Sequence, residues 1–197
     1  LTRIILFSVA AGMVSGYAFL PGWYIDISEP VMIVGLSVLL FFVGVELGIE
    51  GSAVTMLKKA GFKVLLYPVA IILGTLTFAA LSALFLPVTA REAMAVGSGF
   101  GWYTLAPVML MEYSSEISAM SFMHNVMREF LGLLLIPLVA RFVGYIETVS
   151  LPGVAAMDIF LPIVEKATSK DILVYSFVTG LVMAVGVPVL VAFFAGI

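Results

Sequence analysis

An arginine and a glutamate, Arg128 and Glu129, stand side by side within a residue or two of the midpoint of an otherwise lipid-compatible run, 117–143. As a helix, that run would be about 40 Å long, enough to cross a bilayer. Each ionised group at such depth costs roughly 2.5–3.5 kcal/mol on insertion scales. The pair is therefore expected to line a watery or substrate-handling cavity. Asn125 lies one turn before Glu129 on the same face, with Ser121 and Gly132 flanking the stripe, and His124 and Arg128 form a second stripe at i, i+4. A carboxylate beside an amide can hold a cationic amine or a proton, and the neighbouring guanidinium would keep it ionised when no substrate is bound. The competing explanation is an Arg–Glu pair, or a pair with Asp158, that only orients helices. His124 is the single histidine, and the sequence offers it no partners for a metal site.

A second group of candidates lies upstream. The stretch Gly97-Ser98-Gly99-Phe100-Gly101-Trp102-Tyr103-Thr104, followed by Pro107, is hard to keep helical, because glycine is flexible and proline removes a donor. Non-helical backbone at membrane depth persists only where protein or a watery cavity satisfies its polar groups. Broken helices of this kind offer free N–H and C=O groups to substrates and ions in transporters. Trp102 and Tyr103 could stack on an ammonium group, worth about 2 kcal/mol when desolvated. An interfacial loop anchored by its aromatics is the alternative.

The run 152–164 echoes this design, with Leu151-Pro152-Gly153, then Asp158, then Leu161-Pro162. It is too short for an ordinary span, and two broken apolar segments in one chain point to a transport site. Asp158 would be the third ionisable group within the membrane, unless it is a turn aspartate near the interface. The candidate substrate- and proton-binding residues are thus Glu129, Arg128, Asn125, Asp158, Ser98, Gly99, Gly101, Trp102, Tyr103 and Thr104.

The elements that must position these residues are transmembrane helices. The chain is 63% hydrophobic and only 11% charged, with a mean hydropathy of +1.24, against about 25% charged residues in soluble domains. A net charge of -3 leaves no basic patch for nucleic acid, and the absence of cysteine excludes disulfides, thiol catalysis and palmitoylation. Apolar runs at 4–20, 31–48, 63–86, 117–143 and 172–197, with the broken runs 93–111 and 152–164, predict an all-α polytopic membrane protein. About five full spans and two re-entrant or discontinuous segments form one integral membrane domain over 1–197, with no soluble domain. The first run is read as a retained span rather than a signal peptide, since no small-x-small cleavage site follows it. Arg3, Lys58, Lys59, Lys63, Lys166 and Lys170 place the N-terminus inside and the C-terminus outside, with Arg91 dissenting. Gly12/Gly16 and Gly44/Gly48 have helix-packing spacing. Glu46, with Glu50 one turn on, reads as a solvated helix end.

The string Ser98-Gly99-Phe100-Gly101-Trp102-Tyr103-Thr104-Leu105 resembles the signature stretch of the lysine exporter (LysO) family. Asn125-Val126-Met127-Arg128-Glu129-Phe130, Met157-Asp158 within 153–162, and Leu40-Phe41-Phe42-Val43-Gly44 agree in order and spacing. The resemblance covers essentially the whole chain. It implies export of L-lysine and toxic lysine analogues across a prokaryotic cytoplasmic membrane, driven by proton antiport, with no cofactor and with membrane lipids as surroundings. The family's intramembrane acid in the Asn-x-x-x-Glu stretch maps onto Glu129. Longer members carry a further N-terminal third of about three spans. A small separate membrane subunit, a second copy of the chain or an altered mechanism would account for the difference. Other classes remain open on the residues alone: a cation/proton carrier, an organic-anion carrier with Arg128 as anion ligand, or a non-transporting scaffold subunit. Intramembrane hydrolysis fits poorly, since Asp158 is the one deep aspartate and the Gly-x-Ser-x-Gly spacing is absent.

Overall fold

The computed structural model describes residues 61–197 continuously and, before them, only 7, 11, 12, 14–16, 34, 38, 41, 42 and 45. The chain divides into two compact units, Leu1–Lys59 and Ala60–Ile197. In the first, each described residue is helical; Gly12 and Gly16 are exposed, and the Phe41 and Phe42 rings meet edge to face at 5.7 Å. Glu46, Glu50, Gly44, Gly48, Lys58 and Lys59 lie outside the described residues, as does the N-terminus.

The second unit is built from α1 (Lys63–Ser82), α2 (Ala90–Gly97), α3 (Ala106–Met111), α4 (Ser115–Phe142), α5 (Tyr145–Thr148), a 3-10 turn (Gly153–Met157), α6 (Leu161–Ala167), a second 3-10 turn (Lys170–Ile172) and α7 (Leu173–Ala195). No strand occurs among the described residues. Three of these helices, α1, α4 and α7 with its leading turn, are long and apolar enough to cross a membrane. The fold is an all-α membrane protein, as its composition predicts.

The two glycine/proline breaks are where the helices fail. Run 93–111 becomes α2, an irregular tip at 98–105, and α3. Its two arms return to one level: the Tyr113 hydroxyl, just beyond α3, donates to the Glu92 carboxylate in the first turn of α2 at 3.1 Å. The same carboxylate accepts from the Thr89 amide at 2.7 Å, while the Glu92 amide donates to the Thr89 hydroxyl. This capping box satisfies orphan donors at the start of a short helix. The segment is therefore a helical hairpin.

Run 152–164 forms a second hairpin, reached from the opposite end of α4. Ile136, in the last third of α4, shares one apolar cluster with Val149, Val164 and Ile172, so the chain between α4 and α7 leaves and returns at a single level. Tyr67 near the start of α1 meets Tyr175 near the start of α7. At the other end, the Arg91 guanidinium donates to the Phe194 carbonyl at 2.7 Å and the Phe193 carbonyl at 3.4 Å, satisfying the last carbonyls of α7. Helices α1 and α7 are thus parallel, and α4 runs against them. Lys63, Arg141, Lys166 and Lys170 all fall at the end where α1 and α7 begin; Arg91 belongs to the other.

Packing of the second hairpin depends on Gly180 in α7. A Cβ there would lie 2.6 Å from the Met157 amide nitrogen and 2.7 Å from the Val154 carbonyl oxygen. Backbone cannot yield as a flexible side chain can. The Ser176 hydroxyl, one turn earlier, donates to the Ala156 carbonyl at 2.7 Å, tying the same 3-10 turn to α7. At Gly186, on the same helix, an added Cβ would meet only Leu190 at 3.8 Å. Gly180→Ala should destabilise the purified protein by roughly 1–3 kcal/mol, the usual cost of overpacking. Gly186→Ala should leave thermal unfolding in detergent unchanged.

Candidate functional site

The tips of the two hairpins meet beside the middle of α4. The Val154 amide donates to the Phe100 carbonyl at 2.9 Å, joining one tip to the other through backbone alone. The contact needs unusual backbone on both sides. Phe100 has φ 44, rare for a bulky residue, and Gly101 and Gly153 have φ 92 and 66. A Cβ on Gly153 would collide with the Phe100 carbonyl. Phe100 is completely buried, so packing holds it in a conformation that costs of order 1–3 kcal/mol.

Asn125 and Arg128, from successive faces of α4, lock these tips. The fully buried Asn125 side chain accepts from the Gly101 amide at 2.8 Å through its oxygen, and its nitrogen donates to the Ser121 carbonyl and hydroxyl at 2.8 and 3.1 Å. Its hydrogen-bonding capacity is nearly used up in holding the first tip. Arg128 donates to the Leu151 carbonyl at 3.3 Å and the Ser150 carbonyl at 3.2 Å, on the second tip. Its guanidinium also lies 5.9 Å from the centre of the Phe100 ring, on the first. Its hydrogen bonds thus go to backbone carbonyls rather than to the adjacent Glu129, unlike the helix-orienting Arg–Glu pair that was the competing explanation. The reason is geometric: neighbours on a helix point about 100° apart, and here the two side chains serve opposite sides of the tips.

Glu129 points instead into a cavity of about 210 Å³, which it lines with Gly101, Trp102, Tyr103, Thr104 and Asp158. The wall is completed by Val154, Ala155, Met157 and Ile159. Asp158 ends the 3-10 turn, where its carboxylate accepts from the Ile159 amide at 2.5 Å. Two carboxylates and two aromatic rings thus share one chamber, a combination that suits an ammonium ion. The Tyr103 ring is itself braced edge to face by Phe122 at 6.4 Å.

Six of the ten candidate residues therefore share the chamber wall, and four lie around it. Ser98 is buried, with its hydroxyl donating to the Ala95 carbonyl at 2.9 Å. Gly99 packs so tightly on Asn125 that a Cβ would strike the amide. Ser98, Gly99, Asn125 and Arg128 build the tips, and the chamber lies beyond them. His124 faces a different cavity, with Thr75, Gly97 and Ser150. Among the described residues, no group of three or more His, Cys, Asp or Glu could hold a metal ion. Sequence reasoning did not single out Val154, Ala155 or Ile159; their signal was proximity to the Pro152-Gly153 break and to Asp158.

Three helices long and apolar enough to cross a membrane, with two hairpins whose tips meet beside α4 at a chamber holding two carboxylates, define an all-α membrane protein. The chain belongs to the family described as "Lysine exporter LysO", which it matches over residues 6–195. It is 30% identical over 199 residues to "Lysine exporter LysO" of Escherichia coli (strain K12), covering 99% of this chain and 63% of that protein. It is 32% identical over 164 residues to a "Putative lysine exporter" of Haemophilus influenzae (strain ATCC 51907 / DSM 11121 / KW20 / Rd), covering 81% of this chain and 82% of that one. The chain thus spans less than two thirds of the length of the Escherichia coli relative. No solved structure matches it.

Replacing Asn125 by Ala leaves the buried Gly101 amide without its acceptor. The expected loss is about 1–3 kcal/mol of stability, read as a lowered unfolding temperature in detergent.

Proposed function

We propose that this chain forms the core of a secondary transporter that exports L-lysine and lysine analogues in exchange for protons. The observation that carries the reading is the shared chamber of Glu129 and Asp158, walled by Trp102 and Tyr103 at the meeting point of the hairpins. An ammonium group entering the chamber is attracted by both carboxylates and by the ring faces. Protonation of either carboxylate weakens that attraction, so proton arrival and amine release are linked. Returning the carboxylate to its charged form requires loss of the proton to the other side, which completes the exchange. Lysine as the substrate is supported by the names of the two relatives.

The remaining expectations fit this reading. The end bearing Lys63, Arg141, Lys166 and Lys170 is assigned to the cytoplasm of a prokaryotic cell by the positive-inside rule, with the chain's last residues outside. Both compact units are taken as parts of one transport domain, completed by a small membrane subunit or a second copy. Engagement of Arg128 with the Ser150 and Leu151 carbonyls counts against an organic-anion carrier, which would need that guanidinium free.

The test is lysine efflux from proteoliposomes under an imposed proton gradient. Glu129→Gln and Asp158→Asn should each lower the rate at least ten-fold at unchanged protein incorporation, and the pH jump that accompanies lysine movement should vanish with it. Full efflux in Glu129→Gln would contradict the proposal.

A further inference from the structure

Beside the chamber, between α4 and the second hairpin, lies a groove of about 410 Å³, and Tyr103, Glu129 and Ile159 line both spaces. Beyond those shared residues the groove wall is wholly apolar: Val126, Phe130 and Leu133 from α4, and Phe160 and Ile163 from the second hairpin. Glu129 is the one charged residue along it among the described residues. Helical spacing puts Val126 and Leu133 one turn to either side of Glu129, so the carboxylate sits at the junction of an acidic chamber and a hydrocarbon-lined channel.

Lysine does not use such a channel well. Its charged groups stand at both ends of four methylenes, so either orientation takes an ion into the groove or leaves the groove empty. A molecule that fits the junction has one ammonium group and an apolar end. Resting on the proposed amine-binding role of Glu129, we propose that the groove between α4 and α6 is a tail subsite, and that the site binds primary amines bearing an apolar chain, with the ammonium on Glu129 and the chain along Val126, Leu133 and Ile163. Such amines would act as competitive ligands of the exporter. Charge complementarity selects the class: a chain headed by a carboxylate or phosphate would meet Glu129 and Asp158 as like charges.

The probes are n-alkylamines from propylamine to hexylamine, titrated against the full chain in lipid nanodiscs and followed by Trp102 fluorescence in a Trp23→Phe background. Burial of each added methylene strengthens binding by about four-fold when complete, so a half-covered groove should give about an eight-fold gain across the three added methylenes. Ile163→Asn, or Leu133→Gln on the facing helix, should flatten that gain. A flat series in the parent protein would overturn the proposal. So would an equal gain in both groove variants, since it would come from partition into the bilayer. Loss of lysine efflux with the chain-length gain retained would remove lysine as the substrate and support the groove. Failure of every amine, propylamine included, would remove the amine site and the groove with it.

Discussion

A single backbone hydrogen bond, from the Val154 amide to the Phe100 carbonyl, joins two hairpins that enter the molecule from opposite ends. Irregular backbone cannot be left bare in hydrocarbon, where each unsatisfied group costs several kcal/mol. The tips satisfy one another and borrow the rest from α4: Asn125 takes the Gly101 amide, and Arg128 caps the Ser150 and Leu151 carbonyls. Every other feature of the site follows from this mutual satisfaction. Gly101, Gly153 and Gly180 permit the close approach, and Phe100 tolerates a left-handed backbone because it is wholly buried.

The arrangement separates two jobs that sit side by side in the sequence. Arg128 holds structure and Glu129 faces the chamber, although the two are consecutive. A helix turns about 100° per residue, so adjacent charges can serve different spaces without neutralising each other. The guanidinium is stabilised by carbonyl dipoles and an aromatic face, which leaves the carboxylate without an ion-pair partner among the described residues and able to take a cation. Were the two bonded to each other, the chamber would contain a neutral pair and only Asp158 to attract an amine.

Much of this was legible in the chain itself. The apolar run 117–143 became α4 within two residues at either end, because charge at mid-span and polar flanks mark its limits. Both breaks fell at their glycine/proline clusters, since those residues weaken any helix that includes them. Glu129 and Asp158 stood out as site candidates from charge at depth, and Tyr103 as an aromatic ring in a glycine-broken segment. What the sequence could not supply was long-range pairing. Nothing local says that Arg128 reaches residues 150 and 151, or that Asn125 takes the Gly101 amide. The apolar groove was equally hidden, since Leu133 and Ile163 look like any lipid-facing residue until the second hairpin is folded against α4.

Opposed re-entry of the two hairpins is the central claim, and the cysteine-free chain allows a direct measurement. Single substitutions Glu92→Cys, Tyr113→Cys, Phe142→Cys and Asp171→Cys would be labelled with a membrane-impermeant maleimide in sealed vesicles of known orientation. The account predicts that positions 92 and 113 label from one face and positions 142 and 171 from the other. Labelling of 92 and 113 from opposite faces would mean that the first broken segment crosses the membrane, and would contradict it.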